Sequence, residues 1–208
     1  MQPRVAGGMV NYLAHAVLAQ PNQYSLTGNL LGDFCKGVAT AQLHPLILAG
    51  LYNHRAVDRF TDQHHAVRRA KQLFSHQRRR FAGIALDVLF DHFLIKHWTQ
   101  FYPQPFADYK QQLDLRLAAA EHLMPAQMAA TMHSVRRHDW FSSYQQLPQL
   151  GVALDRIAQR IRFANQFAGS IAEISLHYNT LNQLFLQFYP RLQLFVQQLG
   201  PEKMLHYP

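Results

Sequence analysis

The acidic residues of the N-terminal half are few, and they lie inside apolar or histidine-bearing segments. Up to position 104 they are five aspartates, Asp33, Asp58, Asp62, Asp87 and Asp91, against eleven Lys and Arg residues. A soluble amphipathic helix normally places its acidic residues on the solvated face. These carboxylates are therefore predicted to have a functional role instead of a place on the solvated surface. Carboxylates and imidazoles that converge from separate helices form the sites of divalent-metal hydrolases. The pattern therefore predicts a metal-dependent hydrolase.

The segment 53–62 places a histidine and two aspartates on one helical stripe. His54, Asp58 and Asp62 are each four positions apart, and residues at that spacing lie one above the other on a helix. The stripe fits a metal site, but it also fits a solvated face on which Arg55 pairs with Asp58 and Arg59 with Asp62. Taken alone, the stripe favours the solvated face.

A second cluster interrupts the strongly apolar segment Phe81–Trp98. Asp87, Asp91 and His92 stand between runs of Ile, Leu, Val and Phe, which predicts that all three are buried. A buried carboxylate is too costly to keep without a metal, another cation or a proton. A structural network of aspartate and arginine is the alternative, but the pattern favours a metal or catalytic role.

Two shorter segments add candidates. Asp33 lies among apolar residues with Asn29 one turn earlier, and His15 follows Asn11 by one turn. Hard oxygen ligands with a few imidazoles suit Mn²⁺, Mg²⁺ or Fe²⁺. The sequence contains no Gly-rich phosphate loop, no Gly-x-Ser-x-Gly and no Cys-x-x-Cys, so nothing favours the chemistry of those motifs.

The composition is that of a basic, single-domain protein. The 208 residues carry a formal net charge of +8, and 49% of them are hydrophobic, enough for a substantial core. A basic surface favours an acidic partner, which could be nucleic acid, an anionic membrane or an acidic protein. One cysteine, Cys35, fits a reducing cytosol, and no apolar run reaches the ~18 residues of a membrane span. We therefore expect a cytoplasmic protein that does not cross a membrane.

Helical periodicity dominates the chain, and strand signals are nearly absent. The predicted fold is all-α, a bundle of about seven to nine helices. Pro45 is predicted to start a helix, Gly37 to end one, and Pro190 to kink or split the last one. The predicted helical segments are 11–19, 26–36, 45–61, 81–98, 107–123, 126–138, 150–167 and 171–199, and a basic segment, 67–80, leads into the one at 81–98.

The order of the motifs resembles the acyl carrier protein phosphodiesterase family. The resemblance rests on Asn11–His15 (NYLAH), Ser25–Phe34 (SLTGNLLGDF), His54–Asp62 (HRAVDRFTD) and Leu86–Leu94 (LDVLFDHFL), with Phe188–Leu192 near the C-terminus. It covers nearly the whole chain from Met9 and makes residues 9–208 one domain. Residues 1–8 and the inserted Val10 depart from the pattern, so we expect residues 1–8 to be a dispensable or non-native leader.

The resemblance implies hydrolysis of the phosphodiester that joins 4′-phosphopantetheine to a serine of holo-acyl carrier protein. It also implies an HD-like all-α fold, a divalent cation, most often Mn²⁺, and an acidic protein partner that a basic surface would attract. The residues then take hypothetical roles. The metal ligands are His15, Asp33, His54, Asp87, Asp91 and His92. The catalytic candidates are Asp58, for orienting or deprotonating the attacking water, and Asn29. The substrate-binding candidates are Arg55 and Arg59 for phosphate and Arg68, Arg69, Arg78, Arg79 and Arg80 for the carrier.

Three other functions remain open at this point. An HD-like phosphohydrolase acting on a nucleotide would share the metal site but ignore the carrier protein. A helical nucleic-acid-binding module would use the Arg-rich segment with a steep salt dependence, but it leaves the buried carboxylates unexplained. A di-iron oxygenase would need the Glu-x-x-His signature, which the sequence lacks.

Overall fold

The computed structural model describes residues 12–161, 163 and 165–204. Within these residues all regular secondary structure is helical, which confirms the all-α prediction. The α-helices are α1 Tyr12–Leu18, α2 Gln23–Leu31, α3 Pro45–Gln63, α4 His65–Gln72, α5 Ala82–Lys96, α6 Trp98–Phe101, α7 Phe106–Ala119, α8 Ala126–Arg137, α9 Trp140–Ser143, α10 Leu147–Arg160, α11 Ile171–Leu176 and α12 Tyr178–Leu199. They outnumber the predicted seven to nine because the sequence pattern did not separate the shortest ones.

Capping side chains set the starts of α2 and α3, and of these features only Pro45 was predicted from the sequence. Asn22 precedes α2, and its side chain accepts a hydrogen bond from the backbone N–H of Ser25. Pro45 is the first residue of α3, and the side chain of His44 accepts from the N–H of Leu46. These side chains satisfy backbone donors that have no partner within the helix. Gly37 adopts a positive φ of 79° after the 3₁₀ turn Gly32–Phe34.

The last helical segment divides at a different place from the one predicted. It breaks at His177, between α11 and α12, whereas α12 continues through Pro190 without splitting. Pro190 lies on the exposed side of α12. Water can therefore satisfy the carbonyl that loses its hydrogen bond to the proline nitrogen.

Helix α5 is central, as its apolar sequence predicted. Its residues Ala85, Val88, Leu89, Phe93 and Leu94 have no exposed surface. Helices α1, α4, α10 and α12 pack around it. Asp91 and His92 on α5 are buried as predicted and must find partners inside the protein, whereas Asp87 is half-buried and Lys96 is exposed.

Helices α2 and α3 approach so closely that their backbones touch. A Cβ atom on Gly28 would overlap the carbonyl oxygen of Ile47, and one on Gly50 would lie 2.7 Å from the carbonyl oxygen of Ser25. Only glycine fits at either position. The contact brings the last turns of α2 against the middle of α3, where two of the candidate site residues lie.

None of the described helices combines the length and apolarity needed to cross a bilayer. The predicted leader, residues 1–8, lies outside the described residues.

Gly28→Ala is expected to destabilise the fold, because the added methyl group forces α2 and α3 apart. Overpacking of this kind costs about 1–3 kcal/mol, measurable as a lower free energy of unfolding in urea. Gly83→Ala is the matched control, because its Cβ would meet only the end of Lys71, at 3.9 Å. It should be neutral or stabilising by up to about 1 kcal/mol, since alanine is the better helix former. Equal stability of the two variants would contradict this account of the α2–α3 contact.

Candidate metal centre

Three side chains from two helices converge at one point. His15 lies on α1, and His54 and Asp58 lie one turn apart on α3. The Nε2 atom of His15 is 3.3 Å from Oδ1 of Asp58, and Nε2 of His54 is 3.2 Å from Oδ2. One potential ligand atom from each residue lies within 4.8 Å of the others. This spacing suits three ligands that share one divalent cation.

The orientation of His54 is fixed by helix α2. Its Nδ1 atom donates to the backbone carbonyl of Asn29 at 2.7 Å, and a carbonyl oxygen can only accept. Nδ1 therefore carries a proton, and Nε2 faces the Asp58 carboxylate with a lone pair that needs a proton or a metal ion as its partner. Burial acts to lower the pKa of His54, but the contact with Asp58, together with Asp33 and the Asn29 carbonyl, outweighs burial and raises that pKa.

His15 is the most deeply buried member of the cluster. Its ring stacks on that of His54 with centroids 3.9 Å apart, and its Nδ1 has no hydrogen-bond partner among the described residues. Burial, reinforced by repulsion from His54, lowers the pKa of His15. A neutral imidazole with an available ring nitrogen is the form that binds a metal ion.

Gly32 leaves the space that the imidazole of His54 occupies. A Cβ atom at this position would overlap the ring edge that includes Nε2. The glycine begins the 3₁₀ turn Gly32–Phe34, which also carries Asp33. Gly32 therefore makes room for the imidazole of His54, and the next residue, Asp33, places a carboxylate on the same turn.

Three carboxylates, those of Asp58, Asp33 and Asp87, interact electrostatically in and around this cluster. Burial works to raise the pKa of Asp58, but its contacts with His15 and His54 hold that pKa well below its usual range. Burial raises the pKa of Asp33, which His54 and His15 partly offset. Burial also raises the pKa of Asp87, and repulsion from Asp58 and Asp33 adds to it. Because a cation would relieve these costs, the donor set fits a divalent metal with oxygen and nitrogen ligands.

Asp91 faces a different part of the molecule. Its two carboxylate oxygens accept hydrogen bonds from the backbone N–H groups of Leu13, at 3.1 Å, and Ala14, at 3.0 Å. These groups belong to the first turn of α1, so Asp91 caps that helix from the core. Burial raises the pKa of Asp91 to about 8, although the two N–H groups favour its ionised form. The structure does not bring this carboxylate into the cluster, because both oxygens serve the backbone of α1.

His92 also points away from the cluster, into a cavity of about 420 Å³. Its Nδ1 donates to the carbonyl of Tyr144 at 2.7 Å, and its Nε2 accepts from the hydroxyl of Tyr178 at 2.8 Å. Lys96 donates to the same hydroxyl at 3.0 Å. Neighbouring positions on a helix point about 100° apart. Because Asp91 faces α1, the next residue, His92, faces a different side of α5.

Asp62, the last member of the helical stripe, lies outside the cluster. Its carboxylate is exposed and accepts from Lys71 at 2.7 Å, which fits the solvated face considered above. Asn53 was not singled out in the sequence although it precedes His54, and it donates to the side chain of Asn29 at 2.9 Å. Glu202 was also missed, since no motif surrounds it, yet it accepts from the same Asn29 at 3.1 Å.

The candidate substrate-binding arginines fall into two groups. Arg55, Arg59, Arg68 and Arg69 are exposed on α3 and α4. Arg78 donates to the carbonyls of Gln166 and Ala168 and to Glu173, which ties the α4–α5 loop to the segment before α11. Arg79 and Arg80 also have local contacts. Arg79 donates to the carbonyl of Phe74, and the guanidinium of Arg80 lies over the rings of Phe81 and Phe163.

Comparison with known proteins identifies close sequence relatives. A family model described as acyl carrier protein phosphodiesterase matches residues 10–192. The acyl carrier protein phosphodiesterases of Serratia proteamaculans (strain 568), Yersinia pestis and Salmonella agona (strain SL483) are 36%, 37% and 33% identical to the chain over 184 residues. Each alignment covers 88% of the chain and 95% of the relative. No solved structure matches the chain.

Asp91→Asn is expected to remove a pH dependence of stability. Because the folded pKa of Asp91 is raised to about 8, the native state binds more protons than the unfolded state between about pH 4 and pH 8. The contribution of Asp91 to stability is then largest at low pH and is lost as the pH rises through 8. The excess stability of the wild type over Asp91→Asn should therefore fall from pH 5 to pH 8, by at most about 1.4 kcal/mol per pH unit.

Urea unfolding at several pH values measures this difference, with Asp139→Asn as the control. Partial burial works to raise the pKa of Asp139, but its contact with Lys110 outweighs burial and lowers that pKa. The contribution of Asp139 is then lost only as the pH falls toward its folded pKa, so its variant should show a constant difference between pH 5 and pH 8. A constant difference for Asp91→Asn as well would mean that this carboxyl stays ionised.

Proposed function

The chain belongs to the acyl carrier protein phosphodiesterase family, and we propose that it hydrolyses holo-acyl carrier protein with a divalent cation bound by His15, His54 and Asp58. The products are the apo-protein and free 4′-phosphopantetheine. The observation that carries this proposal is the convergence of two imidazoles on one carboxylate in a member of this family.

The donor set is compatible with Mn²⁺. Two imidazole nitrogens and carboxylate oxygens bind Mn²⁺, Fe²⁺ or Zn²⁺, and we choose Mn²⁺ because it is the cation that the family resemblance implies. When bound, such a cation supplies Lewis-acid activation of water and neutralises charge on the phosphodiester. Burial raises the pKa of Asp33 and Asp87, and a doubly charged cation nearby would favour their ionised forms.

The protein residues then divide the remaining work. Asn29 holds His54 through its backbone carbonyl. Asp58, whose contacts keep it ionised, is better suited to bind a cation than to accept a proton from water, because a carboxylate of low pKa is a weak base. Asp87 lies in the electrostatic field of Asp58 and Asp33, so we assign it, with Asp33, to the acidic surroundings of the cation. Asp91 and His92 act outside the cluster in this scheme.

Arg55 and Arg59 form the surface that we assign to the substrate. Arg55 lies beside the thiol of Cys35, which is also within the field of Asp33, and we assign its guanidinium to a phosphate bound at the cluster. Arg59 is one turn further along the exposed face of α3 and lies next to Asp58, whose side chain is 51% exposed. A basic rim at this opening attracts an acidic carrier protein and orients its modified serine.

The direct test is incubation of purified protein with holo-acyl carrier protein, with and without Mn²⁺, followed by mass spectrometry of the carrier. We expect the carrier to lose the mass of 4′-phosphopantetheine only when the cation is present. His54→Ala should lower kcat/KM by about a hundredfold or more, because several kcal/mol of transition-state stabilisation depend on the cation. The exposed His133→Ala is the control and should retain full activity. An unchanged carrier mass with Mn²⁺ present would reject the proposal.

Arg59→Ala is expected to raise KM for holo-acyl carrier protein by about two- to tenfold, with kcat unchanged and a smaller dependence on ionic strength. Arg78→Ala is the matched control, because its donors already bind Glu173 and two carbonyls. That variant should lose about 1–3 kcal/mol of stability and keep its KM. Steady-state kinetics at two salt concentrations separate the cases. If Arg78→Ala raises KM as much as Arg59→Ala, the carrier does not dock on α3.

A further inference from the structure

The C-terminal turn carries a buried carboxylate into the interior beside the candidate metal centre. The 3₁₀ turn Pro201–Met204 follows α12 and packs against α3. Glu202 on this turn is only 2% exposed. Burying an acidic side chain is costly unless it is hydrogen-bonded, so its position must be set by specific partners.

One of these partners is the fully buried side chain of Asn29. Oε2 of Glu202 accepts from Nδ2 of Asn29 at 3.1 Å, and the same Nδ2 also donates to the carbonyl of Ser25 at 3.0 Å. On its other side, Oδ1 of Asn29 accepts from Nδ2 of Asn53 at 2.9 Å. A carboxylate and a carbonyl can only accept, so together they fix which end of the Asn29 amide faces Asn53.

Asn29 is also the residue that orients His54. Its backbone carbonyl accepts from Nδ1 of His54 at 2.7 Å, while its side chain bonds to Asn53, the neighbour of His54 on α3. The backbone and the side chain of one residue therefore hold two consecutive residues of α3. If the Asn29 amide alone turned over, its NH₂ group would face the NH₂ group of Asn53, and this hydrogen bond between α2 and α3 would be lost.

We infer that Glu202 is a positioning residue for the candidate metal centre, acting through Asn29 on His54. The inference rests on the proposed function. Glu202 lies beyond residues 10–192, the part of the chain that matches the family, so this support comes from outside the motifs that carry the chemistry. Partners that orient a metal ligand from behind affect metal affinity even though they do not touch the metal.

The test compares wild type with Glu202→Ala, and uses Glu173→Ala as the control. Glu173 is also a partly buried carboxylate with side-chain and backbone partners, Arg78 and the N–H of Ser75, but it lies away from the cluster. Two quantities are measured, the Kd for Mn²⁺ by isothermal titration and the ring ¹⁵N signals of His54 in the metal-free protein. We expect Glu202→Ala to weaken Mn²⁺ binding about tenfold and to shift or broaden the His54 signals. Glu173→Ala should lower Tm without either effect.

Two further variants decide whether the hydrogen bond or the charge of Glu202 supports Mn²⁺ binding. They also replace Glu202→Ala in the test if that variant does not fold. Glu202→Gln keeps an acceptor at the same reach and should bind Mn²⁺ within about twofold of wild type. Glu202→Asp keeps the charge but withdraws the carboxylate from Asn29, so it should bind more weakly than Glu202→Gln. Wild-type Mn²⁺ affinity and wild-type His54 signals in the variants that fold would overturn the inference.

The two proposals fail in different ways. A wild-type protein that neither binds Mn²⁺ nor releases 4′-phosphopantetheine rejects the proposed function. The ¹⁵N signals of His54 in the metal-free variants still report whether Glu202 positions that ring. Altered signals then retain the link from Glu202 to His54, and unaltered signals reject it.

Discussion

The contact between the backbones of α2 and α3 is the constraint on which the rest of the site depends. Because Gly28 and Gly50 carry no side chains, the last turns of α2 lie directly against α3. Asn29 then reaches two consecutive residues of α3 with two different groups, its carbonyl toward His54 and its amide toward Asn53. A wider spacing would lose both hydrogen bonds, and the imidazole of His54 would no longer face Asp58. The glycines therefore determine the geometry of the site although they contribute no side chain to it.

The cluster concentrates groups that are costly to bury together. Two imidazoles stack face to face, and three carboxylates lie in the same field. A fold selected for stability alone would replace such groups with apolar side chains of similar size. Two buried imidazoles beside half-buried and exposed carboxylates agree with the general observation that unfavourable polar arrangements concentrate at functional sites. The surrounding helices supply the stability that this arrangement lacks.

Helical periodicity predicted the fold well, because burial and helix caps are local properties. His54 and Asp58 could be paired from their spacing alone, since both lie on α3. The positions of Asp91 and His92 depended on partners distant in sequence, the N-terminus of α1 and the residues Tyr144 and Tyr178. Apolar flanks predicted that Asp91 is buried but could not indicate whether a metal or a backbone group satisfies it. Glu202 had no such signal, because its role depends on where the chain returns after α12.

The capping of α1 by Asp91 has a consequence for the candidate metal centre. Helix α1 has seven residues, fewer than an isolated helix needs to persist in water, and its cap comes from a residue 77 and 78 positions away. The stability of the helix therefore depends on α5 being in place beneath it. His15 lies on α1, so its stacking on the imidazole of His54 depends on the same cap. Asp91 thus supports the candidate metal centre through a helix terminus and not as a ligand.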